Sequence, residues 1–336
     1  MQNSILLNKV NKRRVLMLFQ ILISVTLISY LIYIVEWDRA FKILRASNII
    51  YLIVGFSLWI LGLFFASLRW HIVLKDNNIS FSIFESYKAY LRGMFYNIFL
   101  PGVIGGDVVR IGICRFQTEC GLGKASVSVL LERISGVFSL FVYLFLSYSI
   151  FFDEFSDVLN FEFIKYLLIL GLLFTLLFMI SIFFRFKLID WLSSKDDNKF
   201  LKILLTGVKA FCSVNLRTLL IVLILSSLFQ GVDIFACFLF SRAIGIELSL
   251  PILFGIVPLV YFATILPVSL GGLGVRESTF AFLLTKFGVT STDAITLSFL
   301  IYFNRVIYGL SGGIVGFVDH LRMKNTINFL RLSVKE

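Results

Sequence analysis

Long apolar runs alternate with short polar segments along most of this chain, and the runs are of two kinds. Six of them, residues 15–35, 49–68, 125–150, 163–184, 218–240 and 293–318, contain few interruptions. Each is about 20 residues or longer, the length that crosses a bilayer as a helix. Two further regions, 80–122 and 250–289, are apolar but interrupted by proline, glycine and charge. The pattern predicts an all-α integral membrane protein with six full spans plus two broken helical hairpins, about eight or more membrane helices.

Composition excludes the soluble globular class. Hydrophobic residues make up 59% of the 336 residues and charged residues 15%, against roughly 45–50% and 25% in soluble domains. The net charge of +11 lies largely at the ends of the apolar runs, where attraction to anionic headgroups explains it better than nucleic-acid binding. The four cysteines form no CxxC pair and there are two histidines, so we expect free thiols, no metal site and no cofactor.

The first apolar run follows a basic tail and has the look of a signal peptide. It is, however, longer than the roughly 7–15 apolar residues of such a peptide. No small-residue cleavage site follows it before Glu36. We therefore expect the run to be retained as the first span.

Basic residues set the expected orientation. The N-terminal tail carries four Lys/Arg and no acid, residues 185–217 carry seven, and residues 319–336 carry four. By contrast, residues 151–164 have four acids and no base. Because basic loops stay in the cytoplasm, we expect a multi-pass protein of the cell membrane with both termini cytoplasmic.

One segment does not follow this rule. Residues 36–48 fall outside in the predicted topology, yet they contain Arg39, Lys42 and Arg45. We expect them to lie flat on the outer surface as a short amphipathic stretch, with Trp37 and Phe41 towards the lipid.

The predicted topology divides the single membrane domain, residues 1–336, into two units at about 10–150 and 160–320. Each unit has two spans, a broken hairpin and one span, so the second unit is upside-down relative to the first. Region 80–122 then opens to the cytoplasm and region 250–289 to the outside. Inverted repeats with Gly/Pro-interrupted segments at matching positions are typical of carriers, with the ligand at the repeat interface.

The two breaks share a motif that supports the repeat independently of hydropathy. Residues 100–110 and 266–276 both fit L-P-x3-G-G-x3-R without a gap. Proline ends the incoming helix, the glycine pair allows close backbone approach, and the next helix presents the positive end of its dipole. Arg110 and Arg276 add a guanidinium fork suited to phosphate oxygens. The motif predicts an anion site within the membrane, the alternative being interfacial turns whose arginines anchor to headgroups.

Charged residues inside the apolar runs extend this candidate site, because charges at such depth face the bundle interior. Glu132 and Arg133 lie in the third run and Arg305 in the last. They are equally explained as ligand contacts or as structural ion pairs, Glu132 with a hairpin arginine and Glu277 with Arg305. Asp107 and Glu277 are expected to be counter-ions of the motif arginines. No catalytic residue is predicted, and the predicted substrate-binding residues are Asn97, Gly105, Gly106, Asp107, Arg110, Glu132, Arg133, Gly271, Gly272, Arg276, Glu277 and Arg305.

These motifs carry a resemblance to a known family. The chain resembles the flippase-like family named for the membrane region of lysylphosphatidylglycerol synthase, the multiple peptide resistance factor, over about residues 10–325. The matching elements are Asn97-x-x-Leu100-Pro101-Gly102-x-x-Gly105-Gly106-Asp107-x-x-Arg110, Leu131-Glu132-Arg133-x-x-Gly136 and Pro267-x-Ser269-x-Gly271-Gly272-x-Gly274-x-Arg276-Glu277. The resemblance implies lipid translocation or a supporting role in lipid or envelope polysaccharide pathways. Because Glu336 follows soon after the last span, we expect a member without the cytosolic aminoacyl-transferase domain and without the synthase reaction.

Three hypotheses follow. The favoured one is a non-enzymatic, flippase-like transporter that moves or binds a phosphate-containing lipid, either a phospholipid or a polyprenyl-phosphate-linked precursor, between leaflets. Its expected partner is a membrane lipid headgroup. The second is an intramembrane lipid-modifying enzyme, such as a polyprenyl-phosphate-dependent glycosyltransferase using Glu36 and Asp38. The third is a scaffold whose partners are envelope-biosynthesis enzymes.

Overall fold

The computed structural model describes residues 29–99, 105–151, 214–265 and 272–333, with isolated positions at 22, 23, 25–27, 155, 165, 166, 169, 171–173 and 269. Every regular element in these ranges is helical, which confirms the predicted all-α class. After a helical stretch at 29–34, the helices are α1 (Trp37–Ala46), α2 (Ile49–Asp76), α3 (Ile83–Phe99), α4 (Gly105–Thr118), α5 (Leu122–Ile150), α6 (Leu216–Ala243), α7 (Leu250–Ile265), α8 (Val275–Thr285) and α9 (Ser291–Ser333).

Among the described residues, four helices are long and apolar enough to cross a bilayer: Ile49–Asp76, Leu122–Ile150, Leu216–Ala243 and Ser291–Asp319. They correspond to four of the predicted spans, each somewhat longer than predicted. The predicted end at residue 68 was wrong, because α2 continues through Arg69, whose charge is paired inside the bundle. Predicted spans 15–35 and 163–184 lie largely outside the described residues, so the full span count stays a prediction.

The most extensive helix contact joins α2 to α6, which run antiparallel. At one end, the Asn48 backbone N–H donates to the Ala243 carbonyl at 2.8 Å. At the other end, Asn215 donates from its backbone and its side chain to the Asp76 carboxylate, at 2.7 and 2.8 Å. The two helices therefore end together and define two faces of the bundle.

Other contacts join chain segments that were predicted to share a side of the membrane. The Ser147 hydroxyl at the end of α5 donates to the Pro251 carbonyl at the start of α7, at 2.8 Å. The Glu36 backbone N–H donates to the Thr292 hydroxyl at the start of α9, at 3.3 Å. The pairing of ends agrees with the predicted loops, whereas the assignment of one face to the cytoplasm stays a prediction.

The two interrupted regions each form a pair of short helices. The α3–α4 pair flanks residues 100–104 and the α7–α8 pair flanks residues 266–274. Besides contacting its own partner, α3 packs along α9 and α7 packs along α5, so each pair reaches the other half of the chain. Such reciprocal packing between the two halves of the chain is expected of two related units. The inversion of one unit relative to the other stays a prediction.

A stripe of glycines brings α9 directly against α3: Gly309, Gly312, Gly313 and Gly316. A Cβ at Gly312 would overlap the Leu91 carbonyl, so the two backbones touch at this point. At the end of this glycine seam, Asp319 pairs with Lys88 at 3.4 Å and with Arg92. Small residues allow such close approach between membrane helices.

Residues 37–46, part of the stretch predicted to be amphipathic, form α1. The apolar row of α1 is Trp37, Phe41 and Leu44, and its exposed basic row is Arg39, Lys42 and Arg45. Arg39 forms a bidentate ion pair with Asp293 at the start of α9, at 3.1 and 2.9 Å. The position of α1 on the outer surface stays a prediction.

Candidate functional site

Five charged residues from α2, α4 and α5 form a cluster inside the bundle, called here the Glu132 cluster: Arg69, Asp107, Arg110, Glu132 and Arg133. The first four are 4–6% exposed. Three arginines face two carboxylates, which leaves a formal charge of +1. The structure thus brings Asp107, Arg110, Glu132 and Arg133 together as the sequence predicted, and adds Arg69.

Glu132 is the centre of this cluster. Its Oε2 accepts from Arg110 Nη2 at 2.5 Å, and its Oε1 accepts from Arg69 Nη2 at 2.6 Å. The Tyr90 hydroxyl also donates to Oε1. Arg69 continues to α6, where its Nη1 donates to the Ser226 hydroxyl at 2.8 Å. One carboxylate therefore holds two guanidinium groups that would otherwise repel each other in a low-dielectric interior.

Two aromatic rings also contact the guanidinium group of Arg110. Its guanidinium carbon lies 3.7 Å from the Tyr90 ring centroid and 4.4 Å from that of Trp70. Trp70 is fully buried and its Nε1 donates to the Ser128 hydroxyl at 3.0 Å, which fixes the ring. Cation–π contacts of this kind stabilise a desolvated guanidinium. The Arg110 Nε has no hydrogen-bond partner among the described residues.

Asp107 connects the cluster to the surface. It accepts from Arg133 Nε at 2.8 Å and Nη2 at 2.7 Å, and lies 3.6 Å from Arg110 Nη1. Asp107 is a counter-ion, as predicted, although Arg133 is its closer partner. The Arg133 side chain is 46% exposed, so the buried charges reach the outside of the bundle along this path.

The start of α4 is formed by the first motif. The Gly106 backbone N–H donates to Asn97 Oδ1 at 2.6 Å, so α3 caps α4. Gly105 begins the helix. A Cβ at Gly106 would overlap both the Gly93 carbonyl and the Asn97 side chain. The second glycine of the pair is therefore required here for the close approach of α3 and α4.

A Gly106→Ala variant should lose about 1–3 kcal/mol of its free energy of unfolding, the usual cost of an overpacked contact. Gly112→Ala on the same helix is the matched control, because a Cβ there meets nothing within 4 Å. Thermal unfolding in detergent should show a lower midpoint for Gly106→Ala alone. Equal midpoints for the two variants would mean that the α3–α4 contact is not tight.

The second motif is arranged differently around α8. Gly272 and Gly274 have φ angles of +80° and +83°, a conformation that favours glycine, while Gly271 lies outside the described residues. The Glu277 Oε2 accepts from the Gly274 backbone N–H at 2.7 Å, and Glu277 also pairs with Arg276. The helix end that the motif offers to an anion is therefore occupied by the chain's own carboxylate.

Arg276 repeats part of the Arg110 geometry. It is 2% exposed, its Nε donates to the Ser298 hydroxyl at 3.2 Å, and its guanidinium carbon lies 4.7 Å from the Tyr302 ring centroid. The hydrogen bonds from Arg110 to Glu132 and from Arg276 to Ser298 both span 22 residues. Each motif arginine thus reaches the same position on the span that follows it.

Arg305 does not form the ion pair that the sequence suggested. The predicted Glu277–Arg305 ion pair is wrong, because Glu277 bonds Arg276 and Arg305 forms no ion pair with a carboxylate of the described residues. The Tyr261 hydroxyl donates to Asp233, and the Arg305 guanidinium carbon lies 5.4 Å from the Tyr261 ring centroid. Together these residues form the Asp233 cluster: Asp233, Tyr261, Arg276, Glu277 and Arg305. Its two arginines and two carboxylates leave no formal net charge.

The two clusters lie along one face of α6. Ser226 and Asp233 are seven residues apart, or about 10 Å at the rise of a helix. Between them is Gln230, which is 8% exposed and whose Oε1 has no partner among the described residues. Its Nε2 and Arg69 Nη1 both approach Gly136. Ser226, Gln230 and Asp233 therefore place buried polar groups between the two clusters on this face of α6.

Sequence reasoning did not select three members of the clusters, Arg69, Asp233 and Tyr261, or the two aromatic residues that contact Arg110, Trp70 and Tyr90. Asp233 lies inside predicted span 218–240, where the rule that selected Glu132 and Arg305 would also have selected it. Arg69 directly follows a predicted span and would have been found by extending that helix. Nothing in the sequence distinguishes Trp70 and Tyr90 from other aromatic residues in apolar helices.

Residues 17–312 match the model of a family described as the lysylphosphatidylglycerol synthase TM region. A UPF0104 membrane protein of Pyrococcus horikoshii is 25% identical over 130 residues, which cover 38% of this chain and 39% of that protein. A UPF0104 membrane protein of Methanocaldococcus jannaschii is 26% identical over 162 residues, 48% of this chain and 46% of that protein. The matched stretch is less than half the length of each relative. No solved structure matches the chain.

Proposed function

Since the chain belongs to the lysylphosphatidylglycerol synthase TM region family, we propose that it binds a phosphate-containing lipid inside the membrane and moves it between leaflets. The phosphate belongs either to a phospholipid or to a polyprenyl-phosphate-linked precursor, which share this chemistry. The protein acts as a transporter of the cell membrane rather than as an enzyme.

The observation that carries this proposal is the Glu132 cluster. Arg69 and Arg110 converge on a single carboxylate at 2.6 and 2.5 Å, and the cluster holds one more cation than anion. A phosphate group offers several oxygens to two guanidinium forks, which is the geometry that arginine recognises. The excess positive charge belongs to Arg133, whose side chain is 46% exposed, so an anion that approaches the cluster from that side is favoured over a neutral headgroup.

Glu132 supplies the counter-charge when no lipid is bound. A phosphate that enters from the Arg133 side competes with it for the same guanidinium groups. The exchange keeps the two arginines paired at every stage, while the displaced carboxylate of Glu132 keeps the Tyr90 hydroxyl as its donor. Because the carboxylate competes, binding stays weak enough for the headgroup to leave.

The second cluster supports movement as well as binding. The motif arginines lie in two similar settings that are linked by the polar groups along α6, and α3 and α7 pack on the opposite halves of the chain. Rocking of one unit against the other would carry the phosphate between the clusters while the hydrocarbon chains stay in the lipid.

Reconstitution in vesicles tests this proposal. A fluorescent-headgroup phosphatidylglycerol is incorporated, its outer-leaflet fluorescence is quenched with dithionite, and the rate at which inner-leaflet probe becomes accessible is measured. The same assay with a fluorescent glucosylceramide, which has no phosphate, is the lipid control. We expect the protein to accelerate movement of the phosphate lipid only.

An Arg110→Lys variant keeps the charge but loses the fork and the ring contacts. Its transport rate should fall about tenfold or more, because a hydrogen bond to a charged group contributes about 1.5–3 kcal/mol. Arg115→Lys, an exposed position on the same helix, should transport at the unmodified rate. The proposal fails if vesicles with protein are no faster than empty ones, if both lipids move alike, or if both variants match the original protein.

A further inference from the structure

Two aromatic rings lie within cation–π distance of the Arg305 guanidinium. Its carbon is 5.9 Å from the ring centroid of Trp59 in α2 and 5.4 Å from that of Tyr261 in α7. Both rings are fixed by further contacts. The Trp59 ring stacks on that of Tyr308, with 5.8 Å between the centroids, and the Tyr261 hydroxyl donates to Asp233. The guanidinium is therefore held by a framework that exists before any ligand arrives.

The same four kinds of group form the centre of the Glu132 cluster. There the Arg110 guanidinium lies over Trp70 and Tyr90, and the Tyr90 hydroxyl donates to Glu132. Each cluster thus combines an arginine, a tryptophan, a tyrosine and the carboxylate that accepts from that tyrosine. By its surroundings, the counterpart of Arg110 is Arg305, whereas motif position had suggested the arginine of the second motif.

The two tryptophans come from one helix. Trp59 and Trp70 are 11 residues apart in α2, which corresponds to about three turns and about 16 Å. Both therefore lie on the same side of α2, one at each cluster. Since the hydrocarbon core of a bilayer is about 30 Å thick, the two arginines mark separate positions along the path between the leaflets, not one enlarged site.

The two arginines differ in their partners. Arg110 Nη2 donates to Glu132 at 2.5 Å. Arg305 forms no ion pair with a carboxylate of the described residues, because Glu277 is bonded to Arg276. The Arg305 Nε, like that of Arg110, has no hydrogen-bond partner in the described part of the chain, and the residue is only half-buried. A guanidinium without a counter-ion is costly in an apolar interior, so this one is open to an anion.

We propose that Arg305 binds the lipid phosphate at a second position, level with Trp59, and that Arg276 is a positioning residue whose pairing with Glu277 holds the start of α8. The inference rests on the proposed function for the identity of the lipid. It adds that the phosphate has two positions of the same construction. The first is closed by its own carboxylate, Glu132, and the second is open.

Chemical modification of arginine tests the open position residue by residue. The unmodified protein in dodecyl maltoside micelles is treated with phenylglyoxal, and modified arginines are quantified by mass spectrometry. Arg305 should react about tenfold faster than Arg110 and Arg276, whose hydrogen bonds to a carboxylate must first open. Dodecyl phosphate should slow the modification of Arg305 about tenfold when about nine-tenths of the sites are occupied.

Inorganic phosphate at equal concentration separates a lipid headgroup from a free anion, and it should protect Arg305 far less. Equal protection by the two would assign the site to a free anion and overturn the proposal. A modification rate of Arg305 no faster than that of Arg110 would overturn it as well, since the guanidinium would not be open. The same holds if dodecyl phosphate gives no protection.

Transport by an Arg305→Lys variant, which keeps the charge and loses the fork, should be about tenfold slower in the vesicle assay. Arg242→Lys is the matched control, because Arg242 is also half-buried and lies 5.2 Å from a ring centroid, that of Phe238, outside both clusters. It should transport at the unmodified rate.

The two proposals can fail separately. If Arg305→Lys transports at the unmodified rate while Arg110→Lys is slow, the second position is overturned and the proposed function stands. If vesicles with the unmodified protein are no faster than empty ones, while dodecyl phosphate still protects Arg305, the proposed transport fails and the phosphate position stands.

Discussion

A Glu132→Gln variant is expected to lose about 3–5 kcal/mol of its free energy of unfolding, the cost of removing one partner from a buried ion pair. The neutral amide would leave Arg69 and Arg110 close together, with only Asp107 near, 3.6 Å from Arg110. Unfolding in mixed micelles with increasing dodecyl sulfate measures the loss. Glu247→Gln in an exposed loop is the matched control and should change stability by less than about 0.5 kcal/mol.

The same variant also tests the exchange between Glu132 and a phosphate. With its own carboxylate neutralised, the cluster should recover stability from an added anion. Dodecyl phosphate in the micelles should therefore raise the unfolding midpoint of Glu132→Gln more than that of the unmodified protein. An equal rise in the two proteins would show that the anion does not replace Glu132, and an unaltered stability of Glu132→Gln would show that the carboxylate does not hold the arginines.

An Asp233→Asn variant should lose about 1.5–3 kcal/mol of its free energy of unfolding, because the buried Tyr261 hydroxyl loses its charged acceptor. Asp293→Asn is the control of equal chemistry at the surface. Asp293 pairs with Arg39, whose side chain is 45% exposed, and such pairs contribute about 0–1 kcal/mol.

A double-mutant cycle tests whether Asp233 and Arg305 act on each other across the Asp233 cluster. Arg305→Gln combined with Asp233→Asn removes both charges, so the double variant should lose less stability than the two single variants together, with a coupling of about 0.5–3 kcal/mol. Strict additivity in the same micelle titration would show that the two residues do not act on each other.

The membrane helices could be predicted from the sequence because lipid imposes a simple rule of length and apolarity. The rule failed at the end of α2, because it places the end of a membrane span at the first charged residue, here Arg69. Arg69 is tolerated inside the helix only because Glu132 and Ser226 satisfy it from two other helices. Information of that kind lies in the packing of distant segments, and a hydropathy average does not contain it.

The candidate site was predictable in its parts and not in its pairings. Arg110, Arg276 and Glu132 are buried inside the bundle, as expected for charges in apolar helices, and their role in binding stays a prediction. Which carboxylate each arginine meets depends on which helices are neighbours. Arg305 lies over the ring of Tyr261, whose hydroxyl donates to Asp233 of α6, whereas sequence proximity to the motif had suggested Glu277 as its partner.

The shared glycine pair shows a further limit. The Gly-Gly pair is the same in both motifs. Gly106, however, lies inside a helix packed against Gly93, whereas Gly272 has a φ angle of +80°. Glycine satisfies both demands because it lacks a Cβ. The motif therefore predicts that the backbone is unusual at this point and leaves open in which way.

The glycine seam between α3 and α9 holds the two helices together so closely that they should move as one unit. With backbone against backbone at Gly312 and Leu91, and with Arg92 fastened to Asp319 at the end, α9 has little freedom to slide without carrying α3 along. We expect a displacement of α9, which holds Arg305, to be transmitted to Asn97 and so to the cap on Gly106. The glycine seam would then couple a displacement of the Asp233 cluster to a displacement of the Glu132 cluster.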